Sequence, residues 1–219
     1  MIKQKVAFYG AFNPPTWAHV RIAQAVQRRL SDIGNVEEIV FVPSQADYII
    51  KEQRKNLAFR SYDRAVMLMK LCNVMKDMHV SVVDIAADHQ PRTYESLCML
   101  RNRGENCSLL IGADQLLTFE TGWRNPDKIL KEFGLVCVSR GDVNAHEIIE
   151  KSPLLQEHIN NVAVVDVPEK IKDISSTKIR EILMRKTIDE KAIKELEALM
   201  PPMLIGYVMN SYERAIKGE

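Results

Sequence analysis

The sequence predicts an α/β fold: a doubly wound, mostly parallel sheet with a helical C-terminal segment. Two observations carry this. Short β-rich runs alternate with amphipathic stretches of helical spacing, the pattern of βαβ units. The β-rich runs are apolar at nearly every position, as in a sheet covered on both faces.

The elements follow in order. Lys5–Gly10, KVAFYG, reads as a buried strand ending at a glycine. Residues 17–30 place Val20, Ala23, Val26 and Leu30 close to helical spacing. Residues 37–43, EEIVFVP, form a second strand stopped by Pro43. A polar, basic loop runs to Phe59, and Ser61 is placed to cap a helix over 62–75. MHVSVVDI at 78–85 is a third strand, and TYESLCMLRNRG is a helix with Gly104 at its C-terminal side. CSLLIGAD, FGLVCVSRG and NNVAVVDV supply strands four to six. ISSTKIREILMRK opens another helix, and helical patterns fill most of the tail. The expected architecture is therefore Rossmann-like, one domain over 1–219 with a helical part from about residue 175. In such sheets ligands lie at the carboxyl ends of the strands.

Composition excludes several classes of function. The formal net charge is +1, so no basic field draws the chain to nucleic acid, and an anion must be held by local groups. No apolar run approaches the roughly 20 residues of a membrane span. No charged leader with a long apolar core precedes Val6–Tyr9, so the expectation is a cytoplasmic protein. Cys72, Cys98, Cys107 and Cys137 form no CxxC pair and read as core thiols. A homo-oligomer is compatible with the sequence, which does not set the number of copies.

Two constellations carry chemistry. The first strand ends in Gly10-Ala11-Phe12-Asn13-Pro14-Pro15-Thr16-Trp17-Ala18-His19. Gly10 permits close backbone approach, and the two prolines stiffen the turn. Thr16 falls near a helix start with His19 in its first turn. A helix N-terminus offers N–H groups and partial positive charge to a phosphate. The stretch is neither a Walker loop nor a GxGxxG fingerprint. The second constellation is Ile174-Ser175-Ser176-Thr177-Lys178-Ile179-Arg180. Ser175 or Ser176 can cap its helix, and Arg180, about one turn on, can fold back to the same anion with its planar fork. Two phosphate-suited helix starts from opposite halves of the chain imply a polyphosphate gripped from two sides.

GxFxPxTxxH together with ISSTKIR resembles the nicotinamide/nicotinate mononucleotide adenylyltransferase family, within the HxGH-type nucleotidyltransferases. LLIGADQLLTFETGW and GLVCVSRG resemble its central segments, in the expected order. Thr16 stands where the superfamily motif has its first His, and Ala18 where it has Gly. The resemblance implies adenylyl transfer from ATP to a pyridine mononucleotide; ATP phosphoryl chemistry brings Mg²⁺ with it, and His79, His89, His146 and His158 lack the spacing of a dedicated metal cage. It implies that His19 donates to the phosphates in the transition state and that Gly10, Ala11 and Phe12 present backbone to the nucleotides. Thr16, Ser176, Thr177, Lys178, Ile179 and Arg180 would form the phosphate-binding helix starts. The family's phosphate-binding lysine falls at Lys51 or Lys55, and Arg140 ends strand five within reach of a phosphate. Gly112 and Asp114 would meet ribose hydroxyls, Trp123 would stack on the pyridine, and Thr93 and Ser96 would border its pocket. Rival readings are an adenylyltransferase for phosphopantetheine or FMN, and a nucleotide-binding protein without catalysis.

Overall fold

The computed structural model describes residues 1–31, 36–139, 143–167 and 173–217. Six strands build one sheet: β1 (Lys5–Gly10), β2 (Glu38–Pro43), β3 (Met78–Val80), β4 (Cys107–Gly112), β5 (Leu135–Ser139) and β6 (Val162–Asp166). Their order is β3-β2-β1-β4-β5-β6, and every neighbouring pair runs parallel. The chain winds outward from β1 in one direction, then returns to β4 and winds outward in the other. This leaves a switch point between β1 and β4, whose carboxyl ends are Gly10 and Gly112.

Period-two alternation divides the strands between two cores. Val6 and Phe8 of β1, and Ile39 and Phe41 of β2, pack into one. Ala7 and Tyr9, with Val40 and Val42, pack into the other. Helices α1 (Trp17–Ser31), α10 (Ser176–Leu183), α11 (Glu190–Leu199) and α12 (Pro202–Lys217) supply apolar residues to the first core. So does α3 (Ser61–Cys72). Helix α4 (Thr93–Asn102) and the short α5 (Ala113–Leu116), α6 (Phe119–Gly122), α7 (Pro126–Glu132), α8 (Ala145–Lys151) and α9 (Pro153–Glu157) cover the second. No helix among the described residues is long and apolar enough to cross a membrane. Cys107 and Cys137 lie on buried strands, and burial pushes their thiols up to about 12, as it does for Cys72. Thiols so far from ionisation are poor nucleophiles.

Several local expectations change. The third strand stops at Val80, because the chain turns from Val82 onward, with Ala86 N–H donating to Val82 O and Ala87 N–H to Asp84 O. Ser61 does not cap α3. It is the helix's first residue, and its hydroxyl oxygen accepts from Ala46 N–H at 2.9 Å. The basic loop before it contains a helical turn, α2 (Ala46–Lys51). Gly104 follows α4 with φ +82°, the left-handed geometry expected of a helix-ending glycine.

Candidate active site

A cavity opens at the switch point. Its wall is made by the ends of β1 and β4, the turn leading into α1, and the start of α10. Gly10, Ala11, Phe12, His19, Gly112, Asp114, Ser176, Thr177 and Arg180 all line it, joined by Tyr9, Asn13, Gln53, Lys55 and Gln115. Its volume is about 460 Å³, within the span of small-molecule sites.

The turn into α1 is built around two buried polar residues. Thr16 is fully buried, and its N–H donates to His19 Nδ1 at 3.0 Å, with its hydroxyl 2.9 Å from the same nitrogen. A backbone N–H can only donate, so Nδ1 accepts and the imidazole proton resides on Nε2. The histidine thus closes the helix start from its third position, as a capping-box side chain does. The Phe12 ring holds it edge-on, with centroids 5.0 Å apart. Phe12 has φ +45°, and a Cβ at Gly10 would come within 3.0 Å of its ring. A larger residue here would have to push the phenyl ring aside by a few tenths of an ångström, a constraint not visible in the sequence.

Asn13 is 2% exposed. Its side-chain amide donates to Leu57 O at 2.7 Å and accepts from Phe59 N–H at 2.8 Å, which fastens the Lys55 segment to the turn. The Asn13–Pro14 peptide is cis.

The second constellation meets the first. Ser175 is the cap of α10, accepting from Lys178 N–H at 3.3 Å. Ser176 takes another part, its hydroxyl donating to Pro14 O at 2.7 Å across 162 residues of chain. Arg180 is 9% exposed; it donates to Asn13 O at 2.7 Å and to Thr177 Oγ1 at 3.2 Å. Burial lowers its pKa, but a guanidinium stays charged at neutral pH. The two helix starts are thus tied by hydrogen bonds through Ser176 and Arg180 and face one cavity.

Other predicted residues lie elsewhere. Lys55 is on the cavity wall; Lys51 is exposed, off the wall, and paired with Asp47 at 2.8 Å. Lys178 is exposed, with its ammonium 3.6 Å from Asp173. Ile179 buries its side chain in the core, and its N–H donates to Ser175 O. Thr93 is half-buried at the start of α4. Ser96 is fully buried and bonded to Tyr9 OH and Asp84 Oδ1, so it meets the cavity only through Tyr9. Trp123 is half-buried, lies off the cavity wall and packs on Phe119 with centroids 5.3 Å apart. Arg140 lies outside the described residues.

Sequence reasoning missed Arg64 and Asp84. Arg64 is 0% exposed and donates to the carbonyls of Ala11 (2.7 Å), Ser44 (2.5 Å) and Phe59 (3.0 Å). Asp84 is 1% exposed and accepts from Gln90 at 2.7 Å as well as from Ser96; burial raises its pKa to about 6. Both looked like ordinary charges on an amphipathic helix and a strand end, and only tertiary packing distinguishes them. Among the described residues no cluster of three or more His, Cys, Asp or Glu is arranged to hold a metal.

Fold and site together define a class: a doubly wound α/β protein with an anion-suited cavity at its switch point, flanked by two helix N-termini. More particularly, the chain belongs to the cytidylyltransferase-like family, whose model matches residues 7–182. It is 28% identical over 177 residues to a probable nicotinate-nucleotide adenylyltransferase of Clostridium botulinum, covering 81% of this chain and 84% of that one. It is also 28% identical over 193 residues to the nicotinamide/nicotinic acid mononucleotide adenylyltransferase of Oryza sativa, covering 80% and 74%. Among solved structures it resembles Plasmodium falciparum nicotinic acid mononucleotide adenylyltransferase complexed with NaAD. The TM-score is 0.68, with 19% identity over 95% of each chain, a likeness of fold.

Proposed function

We propose that this protein transfers the adenylyl group of ATP to nicotinate or nicotinamide mononucleotide, yielding NAD or its deamido form and pyrophosphate, a step of NAD biosynthesis. The observation that carries the reading is the meeting of the His19 and Arg180 helix starts at one cavity on the β1/β4 switch point. The names of the relatives support it.

In this reading the acceptor's phosphate oxygen attacks the α-phosphorus of ATP. The new P–O bond forms as the bond to the α,β-bridging oxygen breaks, and pyrophosphate leaves with that oxygen's electron pair. The nucleophile is already anionic at neutral pH, so no general base is required. The remaining tasks are in-line positioning and neutralisation of developing charge. His19 Nε2–H donates to the phosphates. Arg180, Thr177 and the N–H groups at the start of α10 hold the β- and γ-phosphates, and Lys55 supplies the loop cation. Backbone of Gly10, Ala11 and Phe12 faces the nucleotides, and Asp114 accepts from ribose hydroxyls beside Gly112. Trp123, off the wall of the cavity described above, would stack on the pyridine, and Thr93 and Ser96, the latter through Tyr9, would border its pocket. Asp114 is the one carboxylate on the described wall, which fits Mg²⁺ held chiefly by ATP phosphates and water. When bound, the ion supplies further charge neutralisation on the phosphates.

The test is turnover with ATP and a panel of acceptors: the two pyridine mononucleotides, phosphopantetheine and FMN. The expected result is dinucleotide from at least one pyridine mononucleotide at a kcat/KM at least about a hundredfold above the other two acceptors. Preference for phosphopantetheine or FMN would overturn the reading.

A further inference from the structure

Arg64 poses a question that packing alone does not answer. It stands in the first turn of α3 and is completely buried, outside the cavity surface. Among the described residues no carboxylate is paired with it, and burial alone lowers its pKa, to about 10. A buried cation without an acid is costly, and an apolar side chain of similar volume is often as stable or more so.

Its donors identify what it does for the site. The three carbonyls it holds belong to three different segments: Ala11 follows β1, Ser44 follows β2, and Phe59 closes the loop that carries Lys55. The Ala11 bond matters most. In a trans peptide the C=O and the next N–H point in opposite directions. With the Ala11 carbonyl turned onto Arg64, the Phe12 N–H points away from Arg64, and both Ala11 and Phe12 line the cavity. Among the described residues no acceptor pairs with that N–H. The next segment obeys the same geometry: Ser44 O faces Arg64, while the following Gln45 N–H donates to Gln90 Oε1 at 2.7 Å. A charged donor on a peptide carbonyl also polarises the peptide and strengthens its N–H.

We propose that Arg64 is a positioning residue for phosphate binding: by gripping the Ala11 carbonyl it aims the Phe12 N–H into the cavity as a donor to the ATP phosphates, and it places a positive charge one peptide behind them. The role rests on the ATP-binding part of the proposed function. It does not depend on which acceptor is used.

The experiment compares wild type with Arg64→Met, Arg64→Lys and Leu130→Ala. Leu130 is a fully buried residue of α7 in the other core, and serves as a control for lost stability. Affinity for α,β-methylene ATP is measured by calorimetry, alongside kcat, both KM values and a melting curve. Loss of one preorganised donor typically costs about a hundredfold or more in kcat. Arg64→Met is expected to weaken the analogue at least about tenfold and lower kcat about a hundredfold, with the mononucleotide KM within about twofold of wild type. Arg64→Lys keeps the charge but not the fork, and should fall between. Leu130→Ala should melt earlier with analogue affinity unchanged. If Arg64→Met does not fold, Arg64→Lys carries the same test. Unchanged analogue affinity and kcat in a folded Arg64 variant would overturn the proposal, as would losses matched by Leu130→Ala. A wild type that binds the analogue yet transfers nothing to a pyridine mononucleotide would overturn the proposed function instead, leaving the affinity comparison intact.

Discussion

The proposed mechanism gives His19 two separable tasks, and two substitutions can part them. Its Nδ1 accepts from Thr16 N–H and so stabilises the start of α1, while Nε2–H is assigned to the phosphates. Asn places its Oδ1 close to where Nδ1 stood, whereas Gln extends its amide to the Nε2 position. Losing an acceptor at a helix start costs about 1 kcal/mol, which for a chain of this size lowers Tm by roughly 2–4 °C. Losing a preorganised donor costs about 2.7–4 kcal/mol in the transition state, roughly a hundredfold to a thousandfold in kcat. His19→Asn should therefore melt near wild type and turn over at least about a hundredfold slower. His19→Gln should show the reverse pattern, an earlier melt with much of the turnover retained. His19→Ala should lose both. Steady-state rates and calorimetric melting of the three variants decide the matter. If His19→Asn turned over normally, or if turnover tracked Tm across all three, the division of labour between the two ring nitrogens would be refuted.

Arg180→Lys keeps the charge but cannot bond Asn13 O and Thr177 Oγ1 while also reaching a phosphate; its KM for ATP should rise at least about tenfold, with little change for the mononucleotide, and a shift confined to the mononucleotide would contradict the assignment. Trp123→Ala should raise the mononucleotide KM about tenfold, equivalent to about 1.4 kcal/mol, with Trp123→Phe recovering much of it; an unchanged KM alongside a lower Tm would leave only its packing on Phe119. Asp84 has a carboxyl raised from 3.8 to about 6 by burial, so the folded chain holds that proton more tightly than the unfolded one. The stability this confers is full below about pH 4 and is lost as pH rises through about 6, on the order of 3 kcal/mol in all. Denaturant midpoints of wild type and Asp84→Asn between pH 4 and 7 should diverge accordingly, and parallel curves would show that Asp84 does not titrate there.

The sheet was legible because its signal is local. Six apolar runs with bounding turns give six strands, and parallel order follows from the helical stretches between them. The helices α5 to α9 were not read as such. They are four to seven residues long, punctuated by Gly122, Pro126 and Pro153, and too short to establish a period. Within the site, the two helix starts could be found because capping residues and the groups they leave exposed are encoded side by side in the chain. Lys55 and Lys51 were indistinguishable by type and spacing; Asn13, bonded to Leu57 and Phe59, is what brings the segment of the former to the wall. Arg64 and Asp84 owe their character to burial, which no single stretch of sequence records.

The central claim, nucleophilic attack on the α-phosphorus, is tested most directly by the fate of isotope in ATP. With ATP labelled separately at the α- and γ-phosphates and a pyridine mononucleotide as acceptor, the account predicts that α-label enters the dinucleotide. The γ-label should appear in pyrophosphate in equal amount. Transfer of γ-label to the acceptor, or release of labelled inorganic phosphate without dinucleotide, would contradict it.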